Sequence, residues 1–309
     1  MNEVVGEQGF LRISVVATIA VAGSGIVSGL LSGSYSIAFD GAYSLIDAGM
    51  TLLAVWVCGL IARSSDSGSA VLHERFTMGL WHLEPIVLAL NGALLVAVAT
   101  YALINAVITT LHGGNELRFG IAIVYAAATL AVCAIMATAG ARVNRRLKSD
   151  FIALDVKAWV MSGGIALALL IAFLIGRAVA DTPLAWLSSY VDPVVLACVC
   201  LVIIPIPVMT VLRALSEILL VSPASLKQRV DEVADQTVRQ QGFLSHRSYV
   251  AKVGRATQVE IHFIVPKALP ARTVEEWDRI RDEVGKGIGD EGPDRWLTIA
   301  FTAHVRWAE

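Results

Sequence analysis

Six stretches of this sequence, near 11–31, 36–62, 82–112, 118–141, 151–177 and 187–213, are apolar over the roughly 20 residues a helix needs to cross a bilayer. With no water in the hydrocarbon core, each run must satisfy its backbone internally, so the expectation is six spanning helices. Composition agrees. Of 309 residues, 56% are hydrophobic and 16% charged, where a soluble domain carries about 25% charged residues. Mean hydropathy is +0.68. That balance excludes a soluble enzyme, and no nucleophile–base constellation is present, so no enzymatic activity is expected. A net charge of −2 offers nothing to a nucleic acid. The leading MNEVVGEQGFLR lacks a basic n-region and a small-residue cleavage site, so the first run is expected to stay as a span. Cys58, Cys133, Cys198 and Cys200 lie in apolar runs without a CxxC and read as small hydrophobes.

Basic residues orient the spans. Arg63 and Arg75 fall between spans 2 and 3, and Arg142, Arg145, Arg146 and Lys148 between spans 4 and 5. The opposite loops hold single charges such as Arg118 and Arg177. Loops 2–3 and 4–5, and with them both termini, are therefore expected in the cytoplasm. After about Ser222 charges of both signs become dense. A helix is expected over PASLKQRVDEVADQTVRQQG, with Ser222 at the N-cap, Pro223 at N1 and Gly242 closing it. RSYVAKVGR and TQVEIHFIV alternate as strands, ARTVEEWDRIRDEVGKGIG is an amphipathic helix, and RWLTIAFTAHVRW is a last strand. The expected organisation is a six-helix transmembrane domain over 1–215 and a small cytoplasmic α+β domain, αββαβ and ferredoxin-like, over 216–309. Such modules often serve dimerisation or regulation.

Within span 2, SYSIAFDGAYSLIDAGM carries Asp40, Tyr43 and Asp47 at i, i+3 and i+7, on one helix face. A central membrane carboxylate costs about 2.5–3.5 kcal/mol on insertion scales. Either the carboxylates pair internally, for instance with Lys157, or they form a cation site to which Ser36 and Ser44 add weaker oxygens. Span 5 opens DFIALDVKAWVMSGG, where Asp155 and Lys157 are about 200° apart around the helix. Lys157 either snorkels to the interface or points inward to Asp40 or Asp47 as a tethered counter-charge. Glu84-Pro85 and Asp192-Pro193 open spans 3 and 6, where an acid and a proline suit a helix start.

Four segments carry a resemblance. SYSIAFDGAYSLIDAGMTLLAVWV resembles the second span of the cation diffusion facilitator family. RFTMGLWHLEPIVLALNGALL, with Phe76, Gly79, His82, Glu84 and Pro85, resembles that family's approach to span 3. YVDPVVLACVCLVIIPIPVMTVLRALSEILL resembles its sixth span, and the αββαβ tail with VEIHFIV resembles its cytoplasmic domain. The four occur in the family's order, over nearly the whole chain.

The resemblance implies a divalent-metal/proton antiporter, a homodimer in the lipid bilayer, with a tetrahedral site from two ligands on span 2 and two on span 5. The span 2 pair falls on Tyr43 and Asp47, with Asp40 extra. In span 5 the chain departs from the pattern: its ligand positions fall on Ala153 and Lys157 in one register, on Phe151 and Asp155 in another. Asp155 is preferred. The candidate set Asp40, Tyr43, Asp47 and Asp155 is all oxygen, suiting manganese, magnesium or ferrous iron more than zinc. No resident cofactor is implied beyond the transported ion. Asp66, His73 and Glu74 are spaced for a looser loop site, with a solvated loop as the plainer reading. His82 reads as structural. His262 matches a metal ligand of the family's tail and His246 lies near another. The last expected histidine appears as Ala300, with His304 four residues on. The implied location is the inner membrane of a bacterium. Lys157 keeps two alternatives open: transport of a monovalent or organic cation, or a non-transporting sensor held by an Asp–Lys pair.

Overall fold

The computed structural model describes residues 2–64, 80–147, 150–254, 256–292 and 294–308. Helices long and apolar enough to cross a membrane cover Gly9–Ser32, Tyr35–Ile61, Leu83–Leu111, Phe119–Arg145, Asp155–Ala180 and Ala185–Ile218, close to the six expected. They belong to α1 (Asn2–Ser32), α2 (Tyr35–Ser64), α3 (Leu83–Leu111), α4 (Phe119–Leu147) and α5 (Asp150–Ala180). The sixth is composite: a 3₁₀ turn (Ala185–Tyr190), α6 (Val191–Ile203) and α7 (Pro205–Ile218). Pro205 and Pro207 explain the break, because neither has an N–H to give the preceding turn. Ile204 N still reaches Cys200 O at 2.9 Å, so the chain stays helical through the joint.

Internal contacts divide the chain into two units, Met1–Leu53 with Leu90–Met209, and Ala54–Ala89 with Thr210–Glu309. Three apolar clusters build the first. Phe39 of α2 packs on Ala99, Ala102 and Ala106 of α3 and on Leu196 and Cys200 of α6. Ile37 meets Tyr125 of α4 and Phe173 of α5. Phe10 of α1 meets Cys133 and Met136 of α4 and Trp159 of α5. Small residues let α1 and α2 touch backbone to backbone, as is common between membrane helices. A Cβ at Gly29 would lie 2.7 Å from the Ala38 Cα, and one at Gly41 would lie 2.6 Å from the Ala22 carbonyl. Large apolar side chains such as Leu30, Tyr101, Val124 and Val202 remain exposed, as a lipid-facing surface requires.

One carboxylate is enclosed completely. Asp192, at the start of α6, is 0% exposed. It accepts from Ser34 Oγ at 2.6 Å, from Tyr35 N at 2.8 Å and from Ser36 N at 3.3 Å. Ser34 Oγ in turn accepts from Ile37 N at 3.2 Å, and Ser36 Oγ donates to the Asp192 carbonyl at 2.9 Å. Asp192 thus caps α2, not its own helix as its sequence position suggests. Both the N–H and the hydroxyl of Ser36 are engaged in this cap.

In the second unit the tail runs α8 (Ala224–Gln241), β1 (Ser245–Val253), β2 (Ala256–Ile264), α9 (Val274–Ile288), β3 (Arg295–Thr302). This is the expected αββαβ order. The sheet order is β1-β2-β3, β1 antiparallel and β3 parallel to β2. Leu226, Val230 and Ala234 form one stripe on α8, and Ile280, Val284 and Ile288 one on α9, both against the sheet. Gly242 closes α8 at φ 68 in the left-handed region, as expected. Its start differs. Pro223 is the N-cap, and Ser222 Oγ donates to Val250 O at 2.5 Å instead of capping. Thr273 and Glu276 form a capping box on α9. The last strand stops at Thr302, so His304 lies beyond the sheet.

Asp192→Ala strands the hydroxyl of Ser34 and the N–H groups that start α2. The expected cost is about 2–4 kcal/mol. Thermal unfolding in detergent should show a large drop for Asp192→Ala and a smaller one for Asp192→Asn, which keeps an acceptor oxygen.

Candidate cation site

The span 2 candidates do not all face the same neighbours. Tyr43 is half-buried, its ring 5.5 Å from that of Phe39 and packed with the α3–α6 cluster. Asp47, one turn on, is exposed, and its Oδ1 accepts from Asn91 Nδ2 of α3 at 3.4 Å. Asp40 is partly buried two turns before Asp47. Tyr125 and Cys133 of α4 lie within electrostatic reach of it. Seven residues of helix separate the two aspartates by about 10 Å of rise.

Asp155 of α5 is tied to α1. Its Oδ1 accepts from Ser14 Oγ at 2.7 Å, and Ser14 Oγ accepts from Trp159 Nε1 at 2.8 Å. Its Oδ2 is buried with no hydrogen-bond partner among the described residues. Ser14 is 2% exposed, and in the sequence it is one hydroxyl in an apolar run. Only the rotation of α1 against α5 makes it a partner. Lys157 is exposed and makes no ion pair among the described residues, with Asp40, Asp47 or any other group. Of its two sequence readings, that placement fits snorkelling. Among the described residues no three His, Cys, Asp or Glu side chains converge as a metal polyhedron. Tyr43 and Asp47 therefore stand as one pair on α2, and Asp155 stands with Ser14. Asp66, His73 and Glu74 lie outside the described residues. His82 is exposed just ahead of α3.

In the tail, strand register decides which histidines can cooperate. His246 pairs with Phe263, and Arg247 with His262. Adjacent positions on a strand face opposite ways. His246 therefore shares the helix-covered face with Phe263, and His262 is on the other. The register therefore sets the two histidines apart, on opposite faces of the sheet. His262 Nε2 lies 2.9 Å from Glu260 Oε1, and its ring stands edge-on to Tyr249. His246 Nε2 lies 3.0 Å from Asp235 Oδ1. Beside it, Lys227 Nζ reaches both oxygens of Asp231 at 2.5 Å, and Ser248 Oγ donates to Asp231 as well. Burial pushes the Asp231 carboxyl up, but hydrogen bonds from Lys227 and Ser248, with the charges of Lys227 and His246, outweigh it. The net result lies below the ordinary carboxylate value.

A sequence model described as the cation efflux transmembrane domain matches residues 11–219, which takes in α1 through α7. No curated protein matches the chain.

Ser14→Ala leaves both Asp155 oxygens without a hydroxyl partner. It should cost about 1–3 kcal/mol in thermal unfolding, and Ser14→Thr, which restores the hydroxyl, should recover most of it. Asp231 gives a pH signature. Its depressed pKa stabilises the fold above the unfolded value of about 3.9, and the contribution fades as pH falls through the folded value. The Tm difference between wild type and Asp231→Asn should be present at pH 6 and shrink below about pH 4. Since the pair is about one-third exposed, the difference corresponds to roughly 1 kcal/mol or less.

Proposed function

The chain belongs to the cation efflux family, the cation diffusion facilitators, and from that premise we propose that it exports a divalent metal cation from the cytoplasm in exchange for protons. It is an integral membrane cation efflux transporter; the ion, the coupling and the sidedness are the proposal. The observation that carries the reading is the pair Tyr43 and Asp47, one turn apart on α2 and open at Asp47, inside the matched domain. They occupy the positions where the resemblance puts the span 2 ligands. Asp155, with one oxygen held by Ser14 and one unpartnered, is the proposed ligand from α5.

In this mechanism the carboxylates replace part of the cation's water shell while the site is open to the cytoplasm. After the bundle reopens on the other side, protons compete for the same oxygens. Neutral carboxyls hold a dication poorly in a low-dielectric interior, so protonation releases it. The oxygen donors favour manganese, magnesium or ferrous iron over zinc. Residues 1–215 carry transport, and 216–309 join two copies in the cytoplasm, where both termini lie. The membrane is the inner membrane of a bacterium. No chemical reaction is catalysed and no resident cofactor is used. His262 with Glu260 is an accessory metal-binding position on the open face of the tail sheet. Lys157, exposed and outside any ion pair among the described residues, does not favour a sensor locked by an Asp–Lys pair.

Reconstitution in liposomes with a pH-sensitive dye tests the reading. Manganese, iron, zinc, cobalt, cadmium and magnesium are supplied in turn. At least one should drive proton flux in wild type. In Asp47→Ala that flux should fall more than tenfold while thermal stability is kept. Transport at the wild-type rate in Asp47→Ala would sink the assignment.

A further inference from the structure

We propose that Tyr125 of α4 and Asp40 of α2 form a second cation station, apart from Tyr43 and Asp47, for a hard divalent cation that keeps part of its water shell. The proposal rests on the cation-transport reading and deepens it.

Tyr125 is 6% exposed, and its buried hydroxyl makes no hydrogen bond of full geometry among the described residues, Thr129 being the hydroxyl that interacts with it weakly. A buried phenol ordinarily finds a partner. The surroundings show where this one is aimed. The point at which a Gly25 Cβ would stand lies 2.5 Å from Tyr125 Oη and 3.2 Å from Gly41 Cα. The phenol therefore ends in the notch where α1 and α2 cross, beside Gly41, and Asp40 is the neighbour of Gly41 in the chain. A side chain at position 25 would occupy the space that the hydroxyl uses, so the glycine serves the phenol as well as the helix crossing. Thr129, one turn along α4 from Tyr125, is buried too.

The donors are a carboxylate, a phenol and an alcohol. Oxygen donors of low total charge suit a hard cation that retains waters, not one that seeks sulfur or imidazole. The two stations lie at different helix interfaces. Tyr43 and Asp47 meet α3, with Tyr43 also on α6, whereas Asp40 and Tyr125 belong to the α1–α2–α4 crossing. Asp40 is also one turn nearer the N-terminus of α2 than Tyr43. A cation moving along α2 would meet the pairs in succession.

Isothermal titration of the full chain in nanodiscs, with manganese(II) alone and with zinc(II) alone, tests this. Wild type, Tyr125→Phe, Asp47→Ala and the double variant are compared, each with its thermal unfolding recorded. Tyr125→Phe removes one oxygen and keeps the ring in its apolar cluster. It should weaken one class of bound ion about tenfold and leave the Asp47-dependent class untouched. Asp47→Ala should do the reverse, and the double variant should lose both. Any ion held by the tail persists in all four and cancels. Gly25→Ala, which crowds the hydroxyl, should reproduce the Tyr125→Phe loss. Binding by Tyr125→Phe identical to wild type would overturn the second station and leave the transport reading standing. Loss of both classes in a stable Tyr125→Phe would merge the two stations and overturn their separateness. Failure of wild type to bind either metal would overturn the transport reading, and the station with it.

Discussion

Asp192 holds the first turn of the helix that carries Asp40, Tyr43 and Asp47. A carboxylate with no exposed surface is costly unless its lone pairs are filled, and a helix start buried in a membrane is costly unless its N–H groups are. Here each cost offsets the other. The positive end of the α2 dipole faces the charge, and the hydroxyls of Ser34 and Ser36 complete the ring of bonds. The result is positional. Because α2 is anchored at Tyr35, the heights of Asp40, Tyr43 and Asp47 follow from the helix rise. A cap on a neighbouring helix thus sets where the candidate ligands stand, without touching them.

The polar groups inside the spans sort by how well they are satisfied. Asp192 and Ser36 are spent on structure. Asp155 has one oxygen occupied and one idle, and the Tyr125 hydroxyl has only the weak interaction with Thr129. An unpaired buried group costs about 1–3 kcal/mol, a sum a marginally stable fold does not carry without return. On the proposed reading, hydrogen-bonding capacity left over in an apolar interior marks a position kept for something that binds. What a linear sequence lacks is each polar group's rotation about its helix axis relative to the neighbouring helices.

That rotation marks the boundary of what the sequence makes legible. The six spans could be read because bilayer thickness acts along one dimension and hydropathy reports it directly. The αββαβ tail could be read because period-two and period-3.6 patterns alternate cleanly there. Ser14 could not be found this way. Its link to Asp155 is a contact across 141 residues that depends on how α1 turns against α5. Asp192 gave a capping signal, but which helix it caps is a tertiary fact. The tail histidines needed register. A one-position offset between the His246–Phe263 and Arg247–His262 pairs puts the two rings on opposite faces, and no spacing in the sequence reveals it.

Charge balance ties these pieces together. Asp192 is neutralised by hydrogen bonds and a helix end. Asp40, Asp47 and Asp155 have no such partner of opposite sign among the described residues. Lys157 is the obvious candidate by sequence, yet it is exposed and outside any ion pair there. Had the lysine turned inward, it would have offset one carboxylate permanently and lowered the affinity of the spans for any cation. Exposed as it is, the lysine leaves that offset unmade, and a stem of its length lets the charge seek the interface. On the proposed reading Asp40, Asp47 and Asp155 are then left to be balanced by what enters, a metal ion or protons. In the proposed exchange these are alternatives for the same oxygens, and that competition is what couples one flux to the other.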